Sequence, residues 1–171
     1  TVSEILLKVS LSNVSTEKAM FELNKAVTRD FDTVSKLAEQ LWQKELQKIQ
    51  INTNNKEFAT KFYTSLYRTC LAPVVHSDTD GGYQTHDNKQ LKFTKGKNKY
   101  TVFSQWDVFR ALNPLFTITQ TQRLPDMINS MLQLYDDNGL LPVWDLSAWE
   151  ANTMTGYHSV PIIADAMLKN I

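Results

Sequence analysis

Apolar residues recur every three or four positions along most of this chain, and that spacing commits it to a series of helices with one buried face each. Val34, Leu37, Ala38, Leu41, Trp42, Leu46 and Ile49 form one such stripe, interrupted only by Glu45, with Lys36, Glu39, Gln43, Lys44 and Gln47 opposite. Asp32 or Thr33 is the expected cap of this helix. Phe58, Phe62, Leu66 and Cys70 follow at successive i+4 positions, widened by Tyr63 and Tyr67 and stopped before Pro73. Leu124, Met127, Ile128, Met131, Leu132 and Tyr135 make a third stripe that ends at Gly139. Ser159 opens a last helix through Ile162, Ile163, Ala166 and Leu168. Shorter helices are expected over Thr16 to Leu23 and after Ser104, the latter interrupted at Pro114.

Two regions depart from this pattern. Ile5, Leu7 and Val9 read as a strand that closes in the polar run Ser10 to Ser15. No second strand follows at once, so its expected partner lies elsewhere in a longer protein, of which this chain is an internal piece. Residues 74–100 carry the Gly81-Gly82 turn, a crowd of polar residues including Ser77, Asp78, Asp80, His86, Asp87 and Asn88, and then five lysines from Lys89 to Lys99 without an acid. The lysine run is read as a solvated hairpin tip. Asp78 and Asp80 lack the spacing of a calcium-binding EF-hand and are read as turn-forming side chains.

Composition narrows the function. Eighteen basic and eighteen acidic residues give a net charge of zero, which argues against a general nucleic-acid binder. No apolar run is long enough to span a membrane. The single cysteine, Cys70, sits in a helical stripe and reads as packing rather than as a nucleophile.

The segment Leu140 to His158 concentrates the chemistry: Trp144, Trp149, Asp145, Glu150, Tyr157 and His158 share one loop. Tryptophan faces stack on sugar rings, carboxylates bind hydroxyls, and an aromatic wall beside a carboxyl favours its protonated form, as a general acid requires. A packed structural loop has the same composition, and both readings stand at this point. Phe103 to Arg110 is a second cluster, in which Trp106, Asp107 and Arg110 offer a recognition wall or, structurally, an Asp at a helix start paired with an Arg three residues on. His76, His86 and His158 show no helical metal-pair spacing.

Four ordered segments resemble glycoside hydrolase family 92, the calcium-dependent exo-acting α-mannosidases of gut Bacteroidetes. They are KFYTSLYRTCLAP from Lys61, SDTDGGY from Ser77, YTVFSQWDVFRALNPLFTI from Tyr100, and GLLPVWDLSAWEANTMTGYHSVPIIADAMLKNI from Gly139. The opening KVSLSNVSTEKAM resembles the family's passage out of its N-terminal β-sandwich.

The resemblance implies a mainly α fold: a partial (α/α)6 toroid preceded by a helical linker and one strand left from the sandwich. Residues 1–15 would be that strand, 16–55 the linker and 56–171 the first part of the toroid, packing against the missing sandwich and the remaining toroid helices. It implies a fragment of an inverting exo-α-mannosidase of the α-1,2 type, acting on mannose-containing glycans in the periplasm, at the cell surface or outside the cell. Glu150 occupies the position of the family's general acid, with the base and most calcium ligands beyond Ile171; no metal ligand is assigned within the chain. Asp78, Trp106, Asp107, Arg110, Trp144, Trp149 and His158 are the implied substrate-binding residues. Trp149, Ala151 and Thr153 depart from the residues usual at those positions, which leaves the leaving-group subsite and the linkage preference open. The alternative is a non-catalytic carbohydrate-binding helical domain, and a third reading is a structural helical domain.

Overall fold

Side-chain caps and apolar spacing set the first three helices. The computed structural model describes residues 5–26, 28–85 and 89–171; His86, Asp87 and Asn88 lie outside them. Helix α1 runs Thr16–Ala26, α2 Phe31–Leu46 and α3 Lys56–Thr69. Asp30, rather than Asp32 or Thr33, caps α2 by accepting from the Thr33 amide at 2.7 Å. Asn55 caps α3 in the same way, accepting from the Phe58 amide at 3.0 Å.

Short antiparallel pairs follow. Strand β1 (Val74–Val75) pairs with β4 (Tyr100–Thr101), and β2 (Gly82–Gln84) pairs with β3 (Leu91–Phe93). The Gly81-Gly82 turn forms as the sequence implies: Asp80 Oδ1 accepts from the Gly82 amide at 2.9 Å, and Gly81 has φ +85°. The helical half continues with α4 (Gln105–Val108), α5 (Leu112–Thr119), α6 (Leu124–Asn138) and α7 (Ser159–Leu168). Between α6 and α7, β5 (Asp145–Leu146) and β6 (Trp149–Glu150) form a hairpin. Pro114 lies in the first turn of α5, where a missing N–H costs no helical bond, so it does not break the helix.

The core gathers around α6. Tyr100, Phe103, Phe116, Leu124, Met127, Ile128, Met131, Ile162 and Ala166 are buried together, and Met131 has no exposed surface. Leu132 and Tyr135, expected inside, face outward. The β2–β3 hairpin and β4 turn Ser130, Gln133 and Leu134 inward instead: Ser130 Oγ accepts from the Tyr100 amide at 2.8 Å, and Gln133 Nε2 donates to the Phe93 carbonyl at 3.4 Å.

Three further expectations change. The strand expected over Ile5 to Val9 finds no partner within this chain: residues 5–12 pair with no strand among the described residues, and Ile5, Leu7 and Val9 stand exposed, its expected partner lying outside the sequence. A strand without a neighbour leaves its ladder groups to water. The apolar stripe of α2 is not buried either, and Leu41 is 66% exposed. Trp42 packs on Tyr67 of α3, with ring centroids 4.7 Å apart. Glu45, the polar residue in that stripe, pairs with Lys48 at 2.7 Å and Arg123 at 2.8 Å and accepts from Gln120 at 3.2 Å. Partial burial opposes ionisation of Glu45, yet these partners together hold its carboxyl below the ordinary glutamate range. Helix α2 is thus tied to the α5–α6 corner by charge.

The third change concerns the lysine run, which is not uniformly solvated. Lys99 is fully buried, its ammonium 4.7 Å from the Tyr83 ring centroid and 3.9 Å from Asp137. Burial pushes its pKa down to about 8 from 10.5, against the opposing pull of Asp137 and Asp145. The unfolded chain therefore holds this proton to higher pH than the folded one, so Lys99 adds stability as pH rises between about 8 and 10.5. In the full-length protein, the melting temperature of wild type relative to Lys99→Met is expected to rise from pH 8 to pH 10. A difference that stays flat across that window would show that Lys99 titrates normally.

Candidate active site

Backbone pairing brings the two aromatic-acidic motifs together. Ser104 bridges Trp144 in antiparallel fashion, the Gln105 amide donates to the Val143 carbonyl at 3.1 Å, and the Asp145 amide donates to the Phe103 carbonyl at 3.0 Å. The segment leading into α4 therefore lies alongside residues 143–145. Those residues also carry the hairpin: Asp145 is in register with Glu150, and Leu146 with Trp149. The two residues of its turn, Ser147 and Ala148, both have positive φ, +53° and +60°. That is the mark of a type I′ turn, whose twist suits a two-residue hairpin.

Glu150 is 8% exposed, and its polar partners are main-chain amides. Oε2 accepts from Val143 at 2.7 Å and from Trp144 at 3.1 Å; Oε1 accepts from Trp144 at 3.1 Å and from Asn152 at 3.1 Å. Asn152 itself has φ +55°. Three N–H groups thus fix the plane of one carboxyl in a loop that also carries Trp144 and Trp149, both partly exposed. The fully buried Asp145 has a different environment. Burial raises its pKa to about 6, opposed by the Thr101 hydroxyl, the charge of Lys99 and the Val102 and Phe103 backbone.

The remaining candidates divide. Trp106 and Asp107 are exposed on α4, beside the 143–145 segment, and Asp107 accepts from the Ser104 hydroxyl. The anticipated pair between Asp107 and Arg110 does not form; the Arg110 guanidinium lies 5.0 Å from the Phe109 ring centroid. His158 stacks on the same ring at 4.2 Å with an interplanar angle of 3°. Phe109 thereby joins Arg110 to the far end of the loop, a role the sequence did not reveal. Asp78 is engaged elsewhere: its carboxylate accepts from the Ser12 hydroxyl at 2.5 Å and the Asn13 amide at 3.1 Å, tying down the N-terminal segment.

A groove of about 500 Å³, lined by Trp42, Glu45, Cys70, Tyr100, Phe116 and Arg123 among others, includes none of the candidate residues. It is an opening between α2 and the core. Among the described residues no group of three or more His, Cys, Asp or Glu side chains converges. No helix among the described residues is long and apolar enough to cross a membrane.

Gly156 adjoins the His158 stack. It has φ +96°, and a Cβ there would stand 2.7 Å from His158 Nε2. Gly156→Ala is expected to displace His158 from Phe109 and to cost about 1–3 kcal/mol of stability, read as a lower urea midpoint at unchanged m-value. Thr155→Ala, one residue away, is the control, and equal midpoints for the two variants would remove the requirement for glycine.

Solved structures similar to this chain match its fold over nearly its whole length. The family GH92 α-mannosidase BT3965 from Bacteroides thetaiotaomicron superposes with a TM-score of 0.87 at 37% identity, covering 94% of this chain and 22% of its own. A second structure of that enzyme, in complex with mannoimidazole, also gives a TM-score of 0.87 at 37% identity, covering 94% of this chain and 21% of its own. The family GH92 inverting mannosidase BT2199 from Bacteroides thetaiotaomicron VPI-5482 gives 0.84 at 28% identity, covering 92% of this chain and 21% of its own. The chain thus spans about a fifth of the length of these enzymes. No curated protein matches it. The glycosyl hydrolase family 92 catalytic domain profile matches residues 18–171, and the chain belongs to that family.

Proposed function

We propose that this chain forms part of an inverting, exo-acting α-mannosidase of the α-1,2 type, with Glu150 as its general acid. The reading is carried by the family match over residues 18–171 and by the place of Glu150 in the WEANTMTGYH stretch; three backbone amides fix the plane of its carboxyl in the loop that holds Trp144 and Trp149. Family membership and the mannoimidazole complex of a similar enzyme support a mannoside as substrate.

In the proposed reaction Glu150 gives its proton to the glycosidic oxygen as the bond from that oxygen to C1 breaks. A water molecule on the opposite face of the sugar forms the new bond to C1, and its proton passes to a second carboxylate. In inverting glycosidases the two carboxyls stand ~6.5–9.5 Å apart, with the water between them. We assign the base to sequence beyond residue 171. Calcium belongs to the same proposal, as the group that engages mannose hydroxyls, with its ligands mostly outside this chain. The acid step at Glu150 does not pass through it.

Trp106, Asp107, Arg110, Trp144, Trp149 and His158 are proposed to contact the glycan, since they lie on the loop or on the segments stitched and stacked against it. Asp78 joins that set on family resemblance alone, because its carboxylate already holds the N-terminal segment. The wider proposal places residues 56–171 in the first part of an (α/α)6 toroid, with 16–55 as a linker and 1–15 ending a β-sandwich. The remainder of the toroid and that sandwich would cover the exposed apolar faces, and the enzyme would act in the periplasm, at the cell surface or outside the cell.

The test is mannose release from α-1,2-mannobiose by the full-length protein, with calcium or with chelator. Release is expected to need calcium and to fall by about 10²–10⁴-fold in Glu150→Gln, the range typical of a lost general acid. Unchanged release by the variant would remove Glu150 from the role. Mannobiose binding without turnover in the wild-type protein would return the chain to the sugar-binding alternative.

A further inference from the structure

Backbone strain is concentrated around the Glu150 loop. Six non-glycine residues among those described have positive φ, and four of them, Val102, Ser147, Ala148 and Asn152, belong to the hairpin or to the strand end beside it. Val102 is β-branched, and such a residue at φ +67° persists only when its surroundings over-determine it.

The surroundings are a buried relay. The Thr101 hydroxyl donates to Asp145 Oδ2 at 2.7 Å and accepts from the Ala148 amide at 2.8 Å. The Val102 amide donates to the same Asp145 oxygen at 2.9 Å. Thr101, Asp145 and Ala148 are each at most 5% exposed, so no water stands in for a lost partner without rearrangement. One hydroxyl therefore holds both the start of the hairpin, at Asp145, and its turn, at Ala148. Two residues beyond Ala148 stands Glu150, in register with Asp145. The same oxygen of Asp145 locks Val102 in its strained conformation, which carries the chain from β4 to Phe103 and the stitched segment.

We propose that Thr101 and Asp145 are positioning residues for Glu150: they set the hairpin turn that delivers its carboxyl into the amide cradle. Neither needs to touch substrate. The proposal rests on the general-acid reading of Glu150 and adds to it the device that aims the proton.

The experiment uses the full-length enzyme and two substrates. α-1,2-Mannobiose has a poor leaving group that needs protonation, whereas 2,4-dinitrophenyl α-mannoside releases a phenolate that leaves without it. Thr101→Val keeps the shape but removes both hydrogen bonds. It is expected to lower kcat on mannobiose by about 10–100-fold with little change in KM, the cost of a misaimed catalytic group. On the dinitrophenyl substrate the loss is expected to stay within about threefold, as for Glu150→Gln. Thr101→Ser keeps both bonds and is expected to restore mannobiose turnover. Asp145→Asn retains the volume with a weaker acceptor and should show the same selectivity in smaller measure; it supplies the reading if Thr101→Val does not fold.

Equal losses on both substrates in the Thr101 and Asp145 variants, beside a selective loss in Glu150→Gln, would overturn the positioning role and leave the acid assignment intact. Wild-type turnover by Thr101→Val would overturn it equally. A Glu150→Gln loss that ignores the leaving group would sink the acid reading and the positioning proposal with it.

Discussion

The buried carboxylate of Asp145 is the contact on which the candidate site depends. It lies where β4, the segment entering α4 and the β5–β6 hairpin meet, and it binds the Thr101 hydroxyl and the Val102 amide at once. Its burial costs free energy, as its raised pKa records, and the hydrogen bonds and the nearby Lys99 offset that cost. An apolar residue in its place would leave Lys99 with one fewer countercharge and Thr101 without its acceptor. Core packing around Met131 holds the helices together, but it is this polar seam that fixes the loop to them.

The division of labour between helices and loops follows from physical scale. Helices α5, α6 and α7 bury apolar side chains and tolerate small shifts, because dispersion and area burial are non-directional. The loop instead uses directional bonds of known length to hold one carboxyl, and a site that moves a proton needs that geometry. The His158–Phe109 stack and the Ser104–Trp144 bridge extend the same stitching to α4, so that motifs about forty residues apart in sequence share one surface.

Much of the helical architecture was legible because period 3.6 is written in residue types. The stripe Phe58, Phe62, Leu66, the run Leu124 to Met131 and the start of the last helix at Ser159 all correspond to helices in the structure. What the sequence hid was context. Lys99 looks like its neighbours in the lysine run, and only the pairing of β1 with β4 and the Tyr83 ring beside it reveal its burial. The segment 145–150 reads as a loop in the sequence because the hairpin's turn is Ser-Ala, without the Asn or Gly that normally announces two positive φ values. The α2 stripe is apolar yet exposed, since periodicity says which face seeks a partner and not which partner it has. For the site, composition singled out Glu150 and the tryptophans, and family resemblance supplied the role. Thr101 carried no signal, since a threonine beside a strand tyrosine is ordinary until its hydroxyl is seen to bridge two buried groups.

The cradle of Glu150 has a consequence for how such a loop drifts over evolutionary time. Its donors belong to the main chain of Val143, Trp144 and Asn152, so almost any side chain at those positions leaves them in place. Proline is the one coded residue that deletes an amide proton. The loop can therefore exchange side chains at 143 and 144 while the carboxyl stays where it is. Position 152 is narrower, because its left-handed backbone favours Asn and Gly. Under the proposed assignment, substrate diversification and retention of the acid would be uncoupled at the level of single codons.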